Sequence, residues 1–398
     1  MSGLVIGLHL CGNMGWLGGV HYIHNAARAL FKMPMQERPL LKVYTPRGVS
    51  PDLLADLASL ASLFIEVRGQ SLWTIAKDLR VAGFHALEGT PLHKVVSSEG
   101  QEVLFPIQET LGMQFRTPWI GWIPDLQHLE MPENFALPHR LARNLRLRRL
   151  VRDAPAVVVS SQIQLEALRG FVHMPSRAIM RVLQFAAVPS REWFERDIES
   201  ALAQYDLPKR YFLVANQFWQ HKNHEDVFRA VRLLRDEGHP VVVVCTGAIR
   251  DPRNGRYVKG LVRFVGEHNL QGVIRMLGRV PRQDGLALMR GSSAVIQPSR
   301  YEGWSTVVEE GRALGKAMVL SDIAVHKEQA PPEALYYRPG HAEELAELMK
   351  SLWQRDSHGH SELGETSALG LQEGRVVQYA RNLVGIAREV SESSYTRA

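Results

Sequence analysis

The sequence predicts an α/β protein of two doubly wound domains, each a parallel sheet covered by helices. Three observations carry this. Short apolar strands alternate with longer amphipathic stretches along most of the chain, which is the pattern of βα units. The alternation runs in two series, separated by a charged segment near Ser190–Arg210 that ends in "DLPKR". Finally, 398 residues are too many for one compact core, and the length favours two or three domains.

In the first series "LVIGLHL" (Leu4–Leu10) reads as a buried strand, followed by "CGNMGWLGGVHYIHNAARAL", a glycine loop feeding a helix. "LLKVYTP", "SLFIEVR", "EVLFPI", "WIGWIP" and "AVVVSS" repeat the strand theme. The second series is "YFLVAN", "PVVVVCTG", "VIRMLG", "SAVIQPS", "KAMVLSD" and "ALYYRP". Between its strands lie helical segments such as "HEDVFRAVRLLRDEGH", with Val227, Val231 and Leu234 on one face. Asp356–Gly370, rich in Gly, Ser and His, is expected as a mobile loop, and the tail has helical spacing at Val377, Ala380, Leu383 and Ile386.

Composition narrows the function classes. No run approaches the ~18–20 apolar residues of a membrane span, and the N-terminus lacks the basic flank and cleavage site of a signal peptide. Two distant cysteines, Cys11 and Cys245, argue against a disulfide framework and suit a reducing, cytoplasmic setting. The net charge of +6 favours acidic partners. Zinc-finger spacing, an RNA-binding aromatic signature and a long basic tail are all missing, so nucleic acid is not the expected partner. The histidines include no H-E-x-x-H or comparable metal spacing.

In doubly wound sheets ligands bind beyond the carboxyl ends of the strands, and four segments fall at such ends. In "SRYEGWSTVVEEGRALGKAMVLSD" (Ser299–Asp322), Glu302 and Glu310 bracket a small hydroxyl-rich turn that opens a helix, with Gly315 as its C-cap. Amides of Trp304, Ser305 and Thr306 would form the first turn, which attracts an anion, and Gly303 allows close approach. Two acids beside an anion site are consistent if the ligand also carries hydroxyls; a capped helix is the competing reading. In "NQFWQHKNH", Lys222 lies just ahead of another helix, as a phosphate partner or a surface lysine. Gly15, Gly18 and Gly19 form a loop that fits neither G-x-G-x-x-G nor the Walker pattern. Asp125 and His128 follow "WIGWIP", where they could do acid/base work or merely form a turn. A fifth segment, "HRLARNLRLRRLVRD", sets six arginines among leucines on a helix, read as a solvated face or, second, as contact with an anionic acceptor or membrane surface.

With these residues in order, the chain resembles the retaining, nucleotide-sugar-dependent glycosyltransferases of the GT-B fold, glycosyltransferase family 4 (group 1). The motif Glu302-x7-Glu310 carries the resemblance, supported by "LGRVPRQDGLALMRGSSAVIQPS", "NQFWQHKNH" and "HKEQ". It implies two Rossmann-like domains facing across a cleft: an acceptor-binding domain over 1–188, a linker over 189–208, a donor-binding domain over 209–375, and a C-terminal helix over 376–398 packing back on the first domain. By this resemblance Glu310 holds the ribose hydroxyls and Glu302 lies near the donor sugar and leaving phosphate. The amides of Gly303, Trp304, Ser305 and Thr306 bind sugar and diphosphate, Lys222 neutralises the departing phosphate, Arg279 contacts the base, and the Gly18-Gly19 loop closes over the diphosphate. The family's usual Arg before the Lys is replaced by Asn216-Gln217, with Arg300 or Arg279 as substitutes, and its His-Asp pair reads Pro124-Asp125, with His128 as a substitute.

The activity implied is hexosyl transfer from a nucleoside-diphosphate sugar to a hydroxyl of a glycan, lipid-linked or small-molecule acceptor, with retention and without a bound metal or other cofactor. Cell-surface glycan synthesis at the inner face of the membrane is the setting by family habit. A sugar-nucleotide epimerase of similar architecture and a catalytically silent nucleotide-sugar-binding subunit are the rival readings.

Overall fold

The computed structural model describes residues 3–10, 17–46, 57, 60–61, 63–67, 101–172, 178–239, 241–354 and 360–395. The chain divides into two compact units, Met1–Val188 with Gly374–Ala398, and Pro189–Glu373.

In the first unit, the described strands are β1 (Leu4–His9), β2 (Leu40–Pro46), β3 (Leu63–Val67), β4 (Gln101–Ile107), β5 (Trp119–Ile123), β6 (Ala156–Val159) and β7 (Ile179–Val182). They form one parallel sheet in the order β3-β2-β1-β4-β5-β6-β7. β5 and β6 are buried along their whole length, as strands covered on both faces must be. The edge strand β7, which the sequence pattern did not mark, is only half-buried. Helices α1 (Leu17–Lys32), α2 (Leu137–Asp153) and α3 (Gln162–Phe171) flank this sheet. Leu147, Leu150 and Val151 of α2 enter a core with Trp119, Val157 and Leu168.

The second unit has six described strands, β8 (Phe212–Ala215), β9 (Val243–Thr246), β10 (Ile274–Gly278), β11 (Ala294–Gln297), β12 (Met318–Ser321) and β13 (Leu335–Tyr337). All are parallel, in the order β10-β9-β8-β11-β12-β13. Helices α4 (His224–Asp236), α5 (Gly255–Glu267), α6 (Arg282–Gly291), α7 (Thr306–Ala313), α8 (Ala324–Gln329) and α9 (Ala342–Gln354) connect them. The apolar stripe Val227, Phe228, Val231 and Leu234 of α4 is fully buried against β8, β9 and α9. Strand order reverses between β8 and β11, the place where doubly wound sheets open a ligand crevice.

The final helix, α10 (Glu362–Tyr395), starts in the second unit and ends in the first. Its last part buries Tyr379, Leu383 and Val390 and ties to the first unit through Arg381–Glu37 (2.9 Å) and Arg181–Glu389 (2.6 Å). The C-terminal helix therefore packs on the N-terminal unit as expected.

Three expectations change. Residues 362–370 belong to α10 rather than to a loop; Glu365, bonded to Arg290 at 2.8 Å, anchors that start. The segment expected as a linker holds two short helices, Glu192–Glu195 and Ile198–Gln204, and Arg196, Gln204 and Tyr205 all bond Asp284 of α6. Gly18 and Gly19 lie in the first turn of α1, not in a loop, while Gly15 and Cys11 fall outside the described residues.

Candidate functional site

Lys222 and Glu302 follow β8 and β11, the two strands that flank the reversal of the second sheet. β8 ends at Ala215, and the chain turns through a short 3-10 helix, Gln220–Lys222, before Asn223 starts α4 in a left-handed conformation (φ 54°). Asparagine tolerates that region better than most residues. Its side-chain amide donates to Asp226 (2.6 Å) and to the Pro298 carbonyl (3.1 Å), fastening the loop after β8 to the loop after β11. The Arg300 amide adds a bond to the His221 carbonyl at 2.7 Å. Gly247, after β9, has φ +111° and would place a Cβ 2.4 Å from the Asn216 carbonyl oxygen, so only glycine lets these loops meet.

The two tied loops bring Lys222 Nζ to 2.6 Å from Glu302 Oε1. The same oxygen accepts from Gln297 Nε2 and Ser299 Oγ, both at 2.7 Å. Gln297, the last residue of β11, in turn accepts from Asn216 Nδ2 at 2.7 Å. Burial opposes ionisation of Glu302, but the Lys222 charge and the hydrogen bonds from Lys222 and Ser299 outweigh it and hold the carboxyl below its ordinary range. An ionised acid and a lysine at the mouth of a parallel sheet can recognise a ligand carrying both hydroxyls and negative charge.

Glu302 leads into α7 through Gly303, Trp304 and Ser305, all buried. Ser305 is the N-cap, accepting from the Val308 amide, and Gly315 (φ +62°) closes the far end. The amide of Ser305 donates to Gln329 Oε1 at 3.1 Å, which corrects the expectation that it faces a ligand. Gln329 also donates to the Ser305 carbonyl (3.0 Å) and to Glu309 (3.2 Å), so it clamps the turn from α8. Glu309, the neighbour of Glu310, is fully buried under this clamp. Thr306 starts the helix itself, half-buried.

Glu310, eight residues beyond Glu302, is buried and paired with Arg282 of α6 at 2.7 Å. Arg282 lies over the Trp193 ring, 5.3 Å from its centroid. Arg279, directly after β10, is exposed. Of these two arginines near the end of β10, it is Arg282 that reaches Glu310.

Buried histidines surround the Lys222 turn. His224 stacks on Phe218 (4.1 Å, 13°) and burial pushes its pKa down to about 3. His221 is lowered to about 3 by burial and by the neighbouring Lys222. His326 in "HKEQ" is also lowered by burial, and its Nδ1 contacts the Ser321 carbonyl at 2.9 Å. Ser321 Oγ donates to the Ser299 carbonyl at 2.5 Å. Burial thus disfavours the charged form of all three, and the Lys222 charge acts in the same direction.

In the first unit, Asp125 follows β5 and accepts the Gln127 amide at 3.1 Å, the geometry of a turn aspartate. His128 is buried, edge-on to Phe135, and lowered to about 4 by burial and by Arg143. Among the described residues there is no cluster of His, Cys, Asp and Glu that could hold a metal ion.

Residues 196–365 match the sequence family described as glycosyl transferases group 1. These residues form a domain of the group 1 glycosyltransferase type. No curated protein matches the chain. Solved structures similar to this glycosyltransferase include HepE from Anabaena in complex with UDP and glucose, at 17% identity over 96% of this chain and 98% of that one, TM-score 0.63. Sucrose-phosphate synthase from Thermosynechococcus elongatus is 16% identical over 98% and 99% of the two chains, TM-score 0.65. WaaG, a glycosyltransferase involved in lipopolysaccharide biosynthesis, is 13% identical over 98% of each, TM-score 0.60. At these identities the likeness shows the fold, the GT-B type.

Sequence reasoning missed Gln297 and Ser299 as partners of Glu302, Arg282 as the partner of Glu310, and Gln329 as the clamp on Ser305 and Glu309. "HKEQ" was a signal for Gln329. Nothing in the spacing marks Gln297, which looks like one more residue at the end of an apolar strand.

Proposed function

We propose that the protein transfers a hexosyl group from a nucleoside-diphosphate sugar to an acceptor hydroxyl, with retention of anomeric configuration. The observation that carries this reading is the Lys222–Glu302 ion pair across the strand-order reversal, with Glu310 following at the family's spacing. The UDP and glucose in the similar HepE structure support a donor of this class.

In this reading the donor's diphosphate lies at the first turn of α7, near Thr306, with Gly303 allowing its approach. Three donors converge on Glu302 Oε1, so Oε2 is the oxygen offered to a sugar hydroxyl. Glu310 takes the ribose hydroxyls while Arg282 holds its other oxygen. As the sugar–phosphate bond breaks, negative charge grows on the diphosphate, and Lys222 with the helix amides offsets it. Preorganised charge of this kind is effective because it needs no rearrangement during reaction. Asn216 stands where the family carries an arginine and is bonded to Gln297. The charge at that point then falls to Lys222 and an arginine from another segment. Gly18, Gly19, Arg279, Asp125 and His128 keep the roles the family resemblance assigns them: diphosphate cover, base contact and acceptor-side acid/base work.

The test is incubation of purified protein with labelled UDP-, GDP-, ADP- and dTDP-sugars, with and without candidate acceptors. Label appearing in an acceptor supports the proposal. Conversion of the donor without acceptor would mark an epimerase, and binding without turnover a silent subunit.

A further inference from the structure

The outward face of α2 carries a feature that sugar transfer does not require. Leu137, Leu141 and Leu145 recur every four residues and are 62%, 59% and 37% exposed. Four-residue spacing keeps side chains on one side of a helix, here a row about 12 Å long. Leu147, Leu150 and Val151 meanwhile fill the core on the opposite side. The exposed row continues through Arg148 and Arg152, both exposed, while Arg140 and Arg149 flank it. α2 holds six arginines and a single acid, Asp153. That acid is buried, bonded to Thr110 at 2.6 Å and paired with Arg152. Thr110 anchors the loop that presents Met113, 67% exposed. Glu130 and Glu133, just before the helix, are the exposed acids nearest in sequence.

We propose that this face of α2 seats the protein on an anionic lipid bilayer. Leucines flanked by arginines suit an interface in which apolar side chains enter the acyl boundary and guanidinium groups bind lipid phosphates. Arginine matches a phosphate with paired hydrogen bonds, which a scattered lysine face would not. A protein partner fits less well, because the arginine anchors of protein interfaces are usually joined by Trp or Tyr and α2 contains no Trp, Tyr or Phe. The contact is peripheral: among the described residues no helix is long and apolar enough to cross a membrane.

The experiment is co-sedimentation of the full chain with vesicles of phosphatidylcholine alone and of phosphatidylcholine mixed with phosphatidylglycerol, at low and high salt. Wild type should partition about tenfold more strongly onto the anionic vesicles, and high salt should weaken that preference. Leu137→Gln/Leu141→Gln should lower the partition by about tenfold at either salt. Arg148→Gln/Arg152→Gln should also lower it and flatten its salt dependence. The leucine variant alters exposed side chains alone and should melt with wild type; the arginine variant also gives up the Arg152–Asp153 pair, so its fold is verified by circular dichroism before its partition is read. Equal binding to neutral and anionic vesicles, or unchanged partition in both variants, would overturn the proposal. So would self-association that the leucine variant abolishes while vesicle binding is lacking in wild type.

Discussion

Lys222 and Glu302 lie 80 residues apart in sequence, yet Nζ and Oε1 are 2.6 Å apart. The pair is mostly buried, with side-chain exposures of 17% and 9%. Neither residue is a simple surface charge. Lys222→Met removes the cation while keeping the stem, so turnover should fall by about 100-fold or more, while the donor KM changes by less than about tenfold. A raised KM with unchanged turnover would assign Lys222 to binding alone. The broken charged hydrogen bond should cost on the order of 2 kcal/mol of stability, which denaturant unfolding reads directly.

Arg282 offers a second test, through Glu310. The guanidinium bonds Glu310 while resting over Trp193, so it fixes the acid that the ribose would meet. Arg282→Gln should weaken nucleoside-diphosphate binding by about five- to tenfold, roughly the worth of one ordinary hydrogen bond. Titration calorimetry checks it, and tighter binding in the variant would instead make Arg282 a competitor for the acid.

Gln297 is the joint of the network, donating to Glu302 and accepting from Asn216. Gln297→Leu keeps the volume but leaves Asn216 without that acceptor, a cost of about 1–3 kcal/mol. If Gln297 also positions Glu302, turnover should drop by about tenfold with folding intact by circular dichroism. Turnover matching wild type would leave Gln297 with packing alone.

Acid should destabilise the protein early. His9 and His128 are held down at about 4, and His221 and His224 at about 3, chiefly by burial. Because their folded pKa lies below the unfolded 6.5, the unfolded chain takes up more protons between the two values. Stability is therefore full above pH 6.5 and falls as pH drops toward 4, by up to about 1.4 kcal/mol per pH unit for each histidine. Glu302, whose folded pKa is also lowered, acts in the same direction at lower pH. Melting temperatures from pH 8 to 4.5 should begin to fall near 6.5, and a flat profile to pH 5 would contradict these burials. His224→Phe, which keeps the stack on Phe218, should make the slope shallower.

Much of this was legible in the residues. Buried parallel strands are short runs of Val, Ile and Leu, so twelve of the thirteen described strands could be read from sequence; β7 is half-buried and carries Arg181 among its four residues. Glu302 and Glu310 stood out because their spacing frames a helix start. The partners of these acids were hidden because they depend on strand order. Gln297 reaches Glu302 and Asn216 only because β11 lies beside β8. Spacing puts Glu310 rather than Glu309 in the proposed ligand position, but it does not reveal burial: Gln329, twenty residues on, covers Glu309. The start of α10 escaped notice for a similar reason. Its Gly- and Ser-rich composition reads as a loop, and the Arg290–Glu365 pair that holds it is a tertiary contact.

The central claim is that the turn between Glu302 and Glu310 binds a nucleotide-sugar donor. A thermal-shift panel first selects the nucleoside diphosphate that stabilises wild type most. Calorimetric titration of that nucleotide into wild type and Glu310→Ala is then the most direct measurement. The predicted result is an affinity at least about tenfold weaker in the variant, consistent with loss of a charged hydrogen bond to the ribose. Equal affinities in the two proteins would contradict the assignment.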